Sequence, residues 1–193
     1  MDIGAILSKI KGNMFLISEE RFDSLTRDSG YGDSFWHLVA CLAVSLPISI
    51  FFGLIMQIVS GAGTSAALFK TGLLIALTVA CIPLMYIGFG ILHMFLKLVG
   101  GKAPYEKTAQ LLIYGYTPYN LFSGIPILNF AFVLVSLVNA VRGAKRVHQI
   151  SLVRAAIALV VIPISVAFVV VVLAFIALLP FFMAAAPTIT PLQ

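Results

Sequence analysis

Charge is what this sequence is short of. Only 10% of its 193 residues are Asp, Glu, Lys or Arg, against about 25% in soluble domains. With 61% of the chain hydrophobic, a soluble globule of this length could not hide its apolar surface. The scarcity is also uneven. From Ala155 to Gln193 there is no charged residue at all, and runs of that length read as membrane-spanning.

Acidic groups are missing where intramembrane chemistry would need them. Six of the seven lie in residues 1–33, so no carboxylate pair sits inside an apolar run. The metalloprotease pattern His-Glu-x-x-His is absent. A serine nucleophile would need a base within reach, and His37 lies at the start of one apolar run, His93 near the end of another and His148 in a basic loop, where interfacial histidines are ordinary. Cysteine is nearly absent as well. Cys41 and Cys81 fall inside apolar runs and read as small buried residues, since metal sites need clustered ligands. These absences predict no enzyme, no catalytic residue, no cofactor and no metal. The net charge of +5 is not a nucleic-acid signal, because the basic residues form short clusters between oily runs, the pattern that sets membrane topology.

What is present is a series of long apolar stretches. Ile3, Ile6, Leu7, Ile10, Met14 and Ile17 recur at helical spacing, which predicts a short amphipathic helix. It either anchors on a membrane surface or packs on the rest of the protein. Asp28, Ser29, Gly30, Gly32 and Asp33 read as a loop. Spans are predicted over residues 35–59, 73–96 and 155–182, each long enough to cross a core of about 30 Å. "SGAGTS" (60–65), "VGGKAPYEK" (99–107) and "RGAKRVHQIS" (142–151) read as loops between them.

Residues 108–141 carry no charge but are broken by Pro118, Gly124 and Pro126. Lysine and arginine decide how often this stretch crosses. Eleven of the twelve, all but Lys70, fit one side if the N-terminus is cytoplasmic, because basic loops stay inside. The stretch must then cross an even number of times. A single helix of this length would measure about 51 Å, and two full crossings need about 40 residues. The best fit is a tight helical hairpin with its tip at "FSGIP" (122–126), each limb a little short of a full crossing and the uncharged tip either shallow in the outer leaflet or re-entrant. The predicted fold is therefore an all-α integral membrane bundle of five transmembrane helices. Its third and fourth form a short, Pro/Gly-broken hairpin, with the N-terminus cytoplasmic and the C-terminus outside.

Three segments carry a resemblance. "YGDSFW" (31–36) is similar to an Asp-Leu-Tyr-Gly-Pro-Phe-Trp entry motif; Tyr31, Gly32, Phe35 and Trp36 match, while Ser29, Gly30 and Asp33 replace its Asp, Leu and Pro. "YGYTPYNLFSGIPI" (114–127) is similar to a Tyr-Gly-Tyr segment followed by an Ile-Pro turn. "GAKRVHQIS" (143–151) looks like a Leu-Lys-Glu-Val-His-Gly-Ile-Ser loop. Together they resemble the Yip-domain family of Ypt/Rab-interacting five-span membrane proteins, in its prokaryotic type. The resemblance implies a non-enzymatic membrane scaffold or adaptor, with a small GTPase as partner by family analogy alone. It places the chain in the cell membrane if prokaryotic and in ER or Golgi membranes if eukaryotic. Residues 1–33 are then a cytoplasmic amphipathic segment and loop, 34–186 a five-span Yip-type membrane domain, and 187–193 a tail.

The candidate motif residues are Tyr31, Gly32, Trp36, Tyr114, Gly115, Tyr116, Pro118, Asn120, Gly124, Pro126 and Asn129. Polar groups within the runs, among them Ser45, Ser49, Gln57, Gln110 and Asn139, serve either as hydrogen-bonding glue between helices or as the lining of a permeation path. The second role defines an alternative, a small-solute or ion transporter or channel using the broken spans. Ser45, Ser49 and Gly53 fall four apart and would let a helix approach closely, either within the bundle or in a homo-oligomer or other membrane-protein contact. Arg142, Lys145, Arg146 and Arg154 form a basic cluster suited to topology setting, to anionic lipid headgroups or to partner docking.

Overall fold

The computed structural model describes residues 3–61 and 64–185, and the side chains among these except at 3, 64–68, 126 and 179–185. The predicted tail 187–193 and part of the 60–65 loop lie outside the described residues. Among the described residues nine α-helices follow in order: α1 (Ile3–Gly12), α2 (Glu19–Asp28), α3 (Tyr31–Val59), α4 (Thr64–Leu98), α5 (Tyr105–Gly115), α6 (Thr117–Phe122), α7 (Pro126–His148), α8 (Leu152–Ala156) and α9 (Ile162–Ala185), with a π-helical turn, Ile157–Val161, joining the last two. No strand occurs among the described residues.

Helix ends follow local chemistry. Ser18 and Ser151 cap α2 and α8 by accepting the amides of Arg21 and Arg154, which meets orphan donors of the first turn. α4 stops where Gly100 turns to φ +94° and Gly101 N–H returns to Leu96 O at 2.8 Å, a left-handed C-terminal turn that glycine adopts at low cost. The π-turn lies just before Pro163, whose ring cannot fit a regular preceding turn.

Among the described residues, four helices are long and apolar enough to cross a membrane: Tyr31–Val59, Phe69–Leu98, Ile127–His148 and Leu152–Leu178. Only 6% of the most apolar window is buried in the second and fourth of these. Their outward Leu, Ile, Val and Phe side chains form a surface that water would not tolerate at this extent.

The hairpin is present but uneven. Its turn, residues 123–125, matches the expected tip, yet the first limb is two short helices broken at Tyr116 while the second is one helix of 23 residues. The stretch expected as a basic loop over 142–151 is helical to His148, and only residues 149–151 connect α7 to α8. Gly32 and Asp33, expected in a loop, lie in the first turn of α3, and the break is confined to Ser29 and Gly30. Expected span ends move outward in the same way, because a helix continues past its apolar run until a cap or glycine stops it.

The short first limb is the centre of the molecule. Residues 108–115 are buried without interruption, and α5 packs against α2, α3, α4 and α7. A helix surrounded on all faces needs no amphipathic stripe. Leu38, Phe89, Leu96, Leu111, Leu112 and Ile113 make the main core with small Ala140, Ala144 and Ala155. α1 takes the packed one of its two predicted roles: Ile10, with Ile6 and Met14 beside it, meets Cys41 and Leu121 on α3 and α6.

Candidate functional site

α2 lies across the end of the bundle where α4, α7 and α8 have their basic residues. Its inner face buries Phe22, Leu25 and Thr26, and Ile17, Phe22 and Leu25 form a cluster with Tyr114 of α5. Phe22 fits because position 143 of α7 is glycine: an added Cβ there would stand 2.9 Å from the ring. Two ion pairs fasten the outer edge, Lys145 Nζ to Glu19 Oε1 at 2.7 Å and Arg146 Nη2 to Asp23 Oδ2 at 2.6 Å. Their side chains are 28–52% exposed, so each pair contributes no more than about 1 kcal/mol. The Lys107 ammonium donates to the Thr26 carbonyl. Glu20, Ser24, Arg27 and Asp28 face outward. A backbone amide of the first turn and the Ser18 hydroxyl hold the Glu20 carboxyl below its usual range.

Below α2, buried polar side chains tie the N-terminal segment to the hairpin. Asn139 of α7 accepts the Ile17 amide at 2.9 Å through Oδ1 and donates from Nδ2 to Phe15 O at 2.8 Å. Gln110 Nε2 donates to Ser29 O at 2.8 Å. Buried backbone groups left unpaired would each cost about 1–3 kcal/mol, so these amides hold an otherwise irregular connection in one conformation.

Two of the three histidines come together. Thr108 Oγ1 lies 2.7 Å from His93 Nδ1 and 2.9 Å from His148 Nε2. A hydroxyl has one proton to give, so at least one of the facing ring nitrogens must carry a hydrogen for both contacts to be bonds. The trio joins α4, α5 and α7. His37 is separate: its Nε2 meets Thr117 Oγ1 at 2.9 Å and its ring sits 4.9 Å from that of Tyr114. Among the described residues no three His, Cys, Asp or Glu side chains converge as a metal site would require.

The predicted motif residues divide by role. Gly115 marks a close α5–α7 approach, since a Cβ there would lie 3.2 Å from Ala140 N. Gly124 presses against α3, 2.7 Å from Ser49 Cα on the same construction. Ser45 is buried and Ser49 is taken up by this contact, whereas Gly53 has open space. Tyr116 ends α5, and buried Pro118 opens α6 with Asn120 beside it. Asn129 lies in the first turn of α7 and its backbone amide returns to Ile125 O; Pro126 begins that helix, its side chain outside the described ones. Tyr31 rests 5.8 Å from the Tyr86 ring, Gly32 has nothing near it, and Trp36 is exposed. Of the basic cluster, Lys145 and Arg146 are engaged by α2, while Arg142 and Arg154 are exposed. Nothing in the packing of residues 108–121 favours a permeation path.

Residues missed by sequence reasoning are Phe22, Gly143, Thr108 and Glu19, with Asp23. The Ser-Glu-Glu run at 18–20 was a usable helix-start signal; the partners of Phe22, Glu19 and Asp23, more than a hundred positions away, carried none.

No curated protein and no solved structure matches the chain. A family model described as the Yip1 domain matches residues 13–187. The match begins inside the α1–α2 connection and so includes α2, the entry motif, the hairpin and the last long helix. This multi-pass membrane protein belongs to the Yip1 domain family.

Proposed function

We propose that the chain is a non-enzymatic scaffold or adaptor that presents α2 and its neighbours to partners at the cytoplasmic surface. The observation that carries this reading is α2 itself. It is fastened by buried Phe22 and two ion pairs, yet keeps Glu20, Ser24, Arg27 and Asp28 outward. A rigid polar helix held over a membrane bundle suits recognition of another macromolecule better than turnover of a small one. Family membership supports a Yip-type role, and a small GTPase is the partner class that the family suggests.

The topology proposed with it has five crossings, N-terminus inside. The α5–α6 limb and α7 supply the third and fourth. Support comes from the basic residues: Arg27, Lys102, Lys107 and Arg146 gather around one cleft, where Lys102 N–H donates to His148 O at 3.2 Å. Basic segments of this kind stay inside. At 18 residues the first limb rises about 27 Å if continuous, enough for a thinned or shallow crossing.

The test is photocrosslinking in native membranes from positions 20, 24 and 28. Recovery of one stoichiometric protein partner from these positions, and not from position 84 on the lipid-facing side of α4, is expected. Flux of ions or small solutes through protein-containing liposomes above empty controls, with no such partner, would overturn the reading.

A further inference from the structure

Between α2, the 99–104 loop and the end of α7 lies an open cleft of about 450 Å³. Arg27, Lys102, Lys107 and Arg146 line it, against a single carboxylate, Asp23, which Arg146 already engages. Four cations, from α2, the 99–104 loop, α5 and α7, thus share one concavity with a formal excess of three positive charges. Lys107 turns its ammonium to a backbone carbonyl, not a carboxylate. Arg27 and Lys102 make no ion pair among the described residues.

Topology setting explains why basic residues lie at this end, but it does not require them to converge. Like charges held together in a concave site repel one another unless an anion fills it. The uncapped start of α5 adds to this field: Pro104 precedes it without a side-chain cap, and Pro104 and Lys107 both line the cleft. Free amides and the helix dipole there favour a negative group. The apolar outer surface includes Leu98 at the end of α4, four positions before Lys102, and Val153 on α8, both exposed. A lipid lying against α4 would therefore bring its headgroup to the level of Lys102.

We infer that this cleft binds a phosphate group carrying more than one negative charge, presented by a lipid headgroup or free in solution, with Arg27 and Lys102 as its unshared cations. Oxygens of a phosphate monoester match the fork of an arginine and the point charge of a lysine. The site is distinct from the exposed Arg142, which lines an apolar groove between α7 and α8.

The experiment uses the full chain purified in neutral detergent and follows its melting with short-chain phosphatidic acid, with phosphatidylcholine, or with inorganic phosphate. A ligand that binds the folded state raises the melting point in proportion to its occupancy. Phosphatidic acid should stabilise the protein where phosphatidylcholine does not. Arg27→Gln and Lys102→Gln should each weaken that response about fivefold, the scale of one cation near an anionic headgroup. Neither side chain makes a hydrogen bond or ion pair among the described residues, and without ligand the double variant should melt no lower than the parent, since it relieves repulsion. Arg142→Gln should leave the response intact. If inorganic phosphate alone gives the same shift with the same dependence on Arg27 and Lys102, the ligand is a free phosphate; if only the lipid does, it is a headgroup. Equal responses to the two lipids with none to phosphate, or an equal loss in Arg142→Gln, would overturn the site.

Discussion

A methyl group added at the hairpin tip should do measurable damage. In Gly124→Ala the new carbon would stand 2.7 Å from both Cα and N of Ser49. Apolar atoms settle at about 3.5–4.0 Å, so the tip would have to lift from α3 by roughly 1 Å. Overpacking of this kind costs about 1–3 kcal/mol. Gly53 lies one turn further along α3 with nothing within 4 Å of an added Cβ. There alanine restricts the unfolded chain and gains about 0.5–1 kcal/mol. The two substitutions should therefore move stability in opposite directions and differ by about 1.5–4 kcal/mol. At about 2–4 °C per kcal/mol for a chain of this size, thermal melting in a mild detergent resolves the difference. Gly115→Ala, 3.2 Å from Ala140 N, should fall between them. A Gly124→Ala protein melting at or above Gly53→Ala would refute the close contact. Ser49→Ala removes the nearest atom, the hydroxyl, but leaves the clashing backbone in place, so it should restore stability only in part.

Asn139→Ala strands the Ile17 amide and the Phe15 carbonyl. At about 1–3 kcal/mol for each buried unpaired group, it should loosen residues 13–29, read as faster proteolysis of that segment with the bundle intact. Thr108→Val removes the hydroxyl between His93 and His148 and should lower the melting point by the equivalent of about 1–3 kcal/mol, while Thr108→Ser should be close to neutral. In a background with Cys41 and Cys81 replaced, Ser123→Cys should react with an impermeant thiol reagent from outside the cell, and Lys145→Cys only after permeabilisation. Labelling of both from one face would refute a hairpin that crosses.

The spans were legible because their cause is local. A run such as residues 155–182 has one available solvent, and no distant residue changes that. The hairpin was legible for a related reason, since Pro118, Gly124 and Pro126 interrupt an uncharged stretch with basic residues on both sides. The extent of α7 was not. Arg142, Lys145 and Arg146 read as loop because charge ends a membrane run, but charge does not end a helix. What ends α7 is Gln149, in the left-handed conformation at φ 55°, a position with no strong sequence signal for a residue other than glycine or asparagine.

The docked position of α2 was the least legible feature. Its ties to α7 span more than 120 residues, as in Lys145–Glu19 and Asn139–Ile17, and nothing within either segment specifies the other. Composition nevertheless holds a trace of it. Six of the seven acidic residues sit in the first 33 positions, opposite a bundle end that is basic, so the acidic segment had one electrostatic destination. Two of those carboxylates reach it as ion pairs. The glycine of the Tyr-Gly-Tyr motif acquires its reason at the same place: Gly115 lets α5 lie against α7, and that approach sets Tyr114 beneath Phe22 and α2. A segment that looks like a break in two membrane spans is thus the support on which the polar face of the molecule rests.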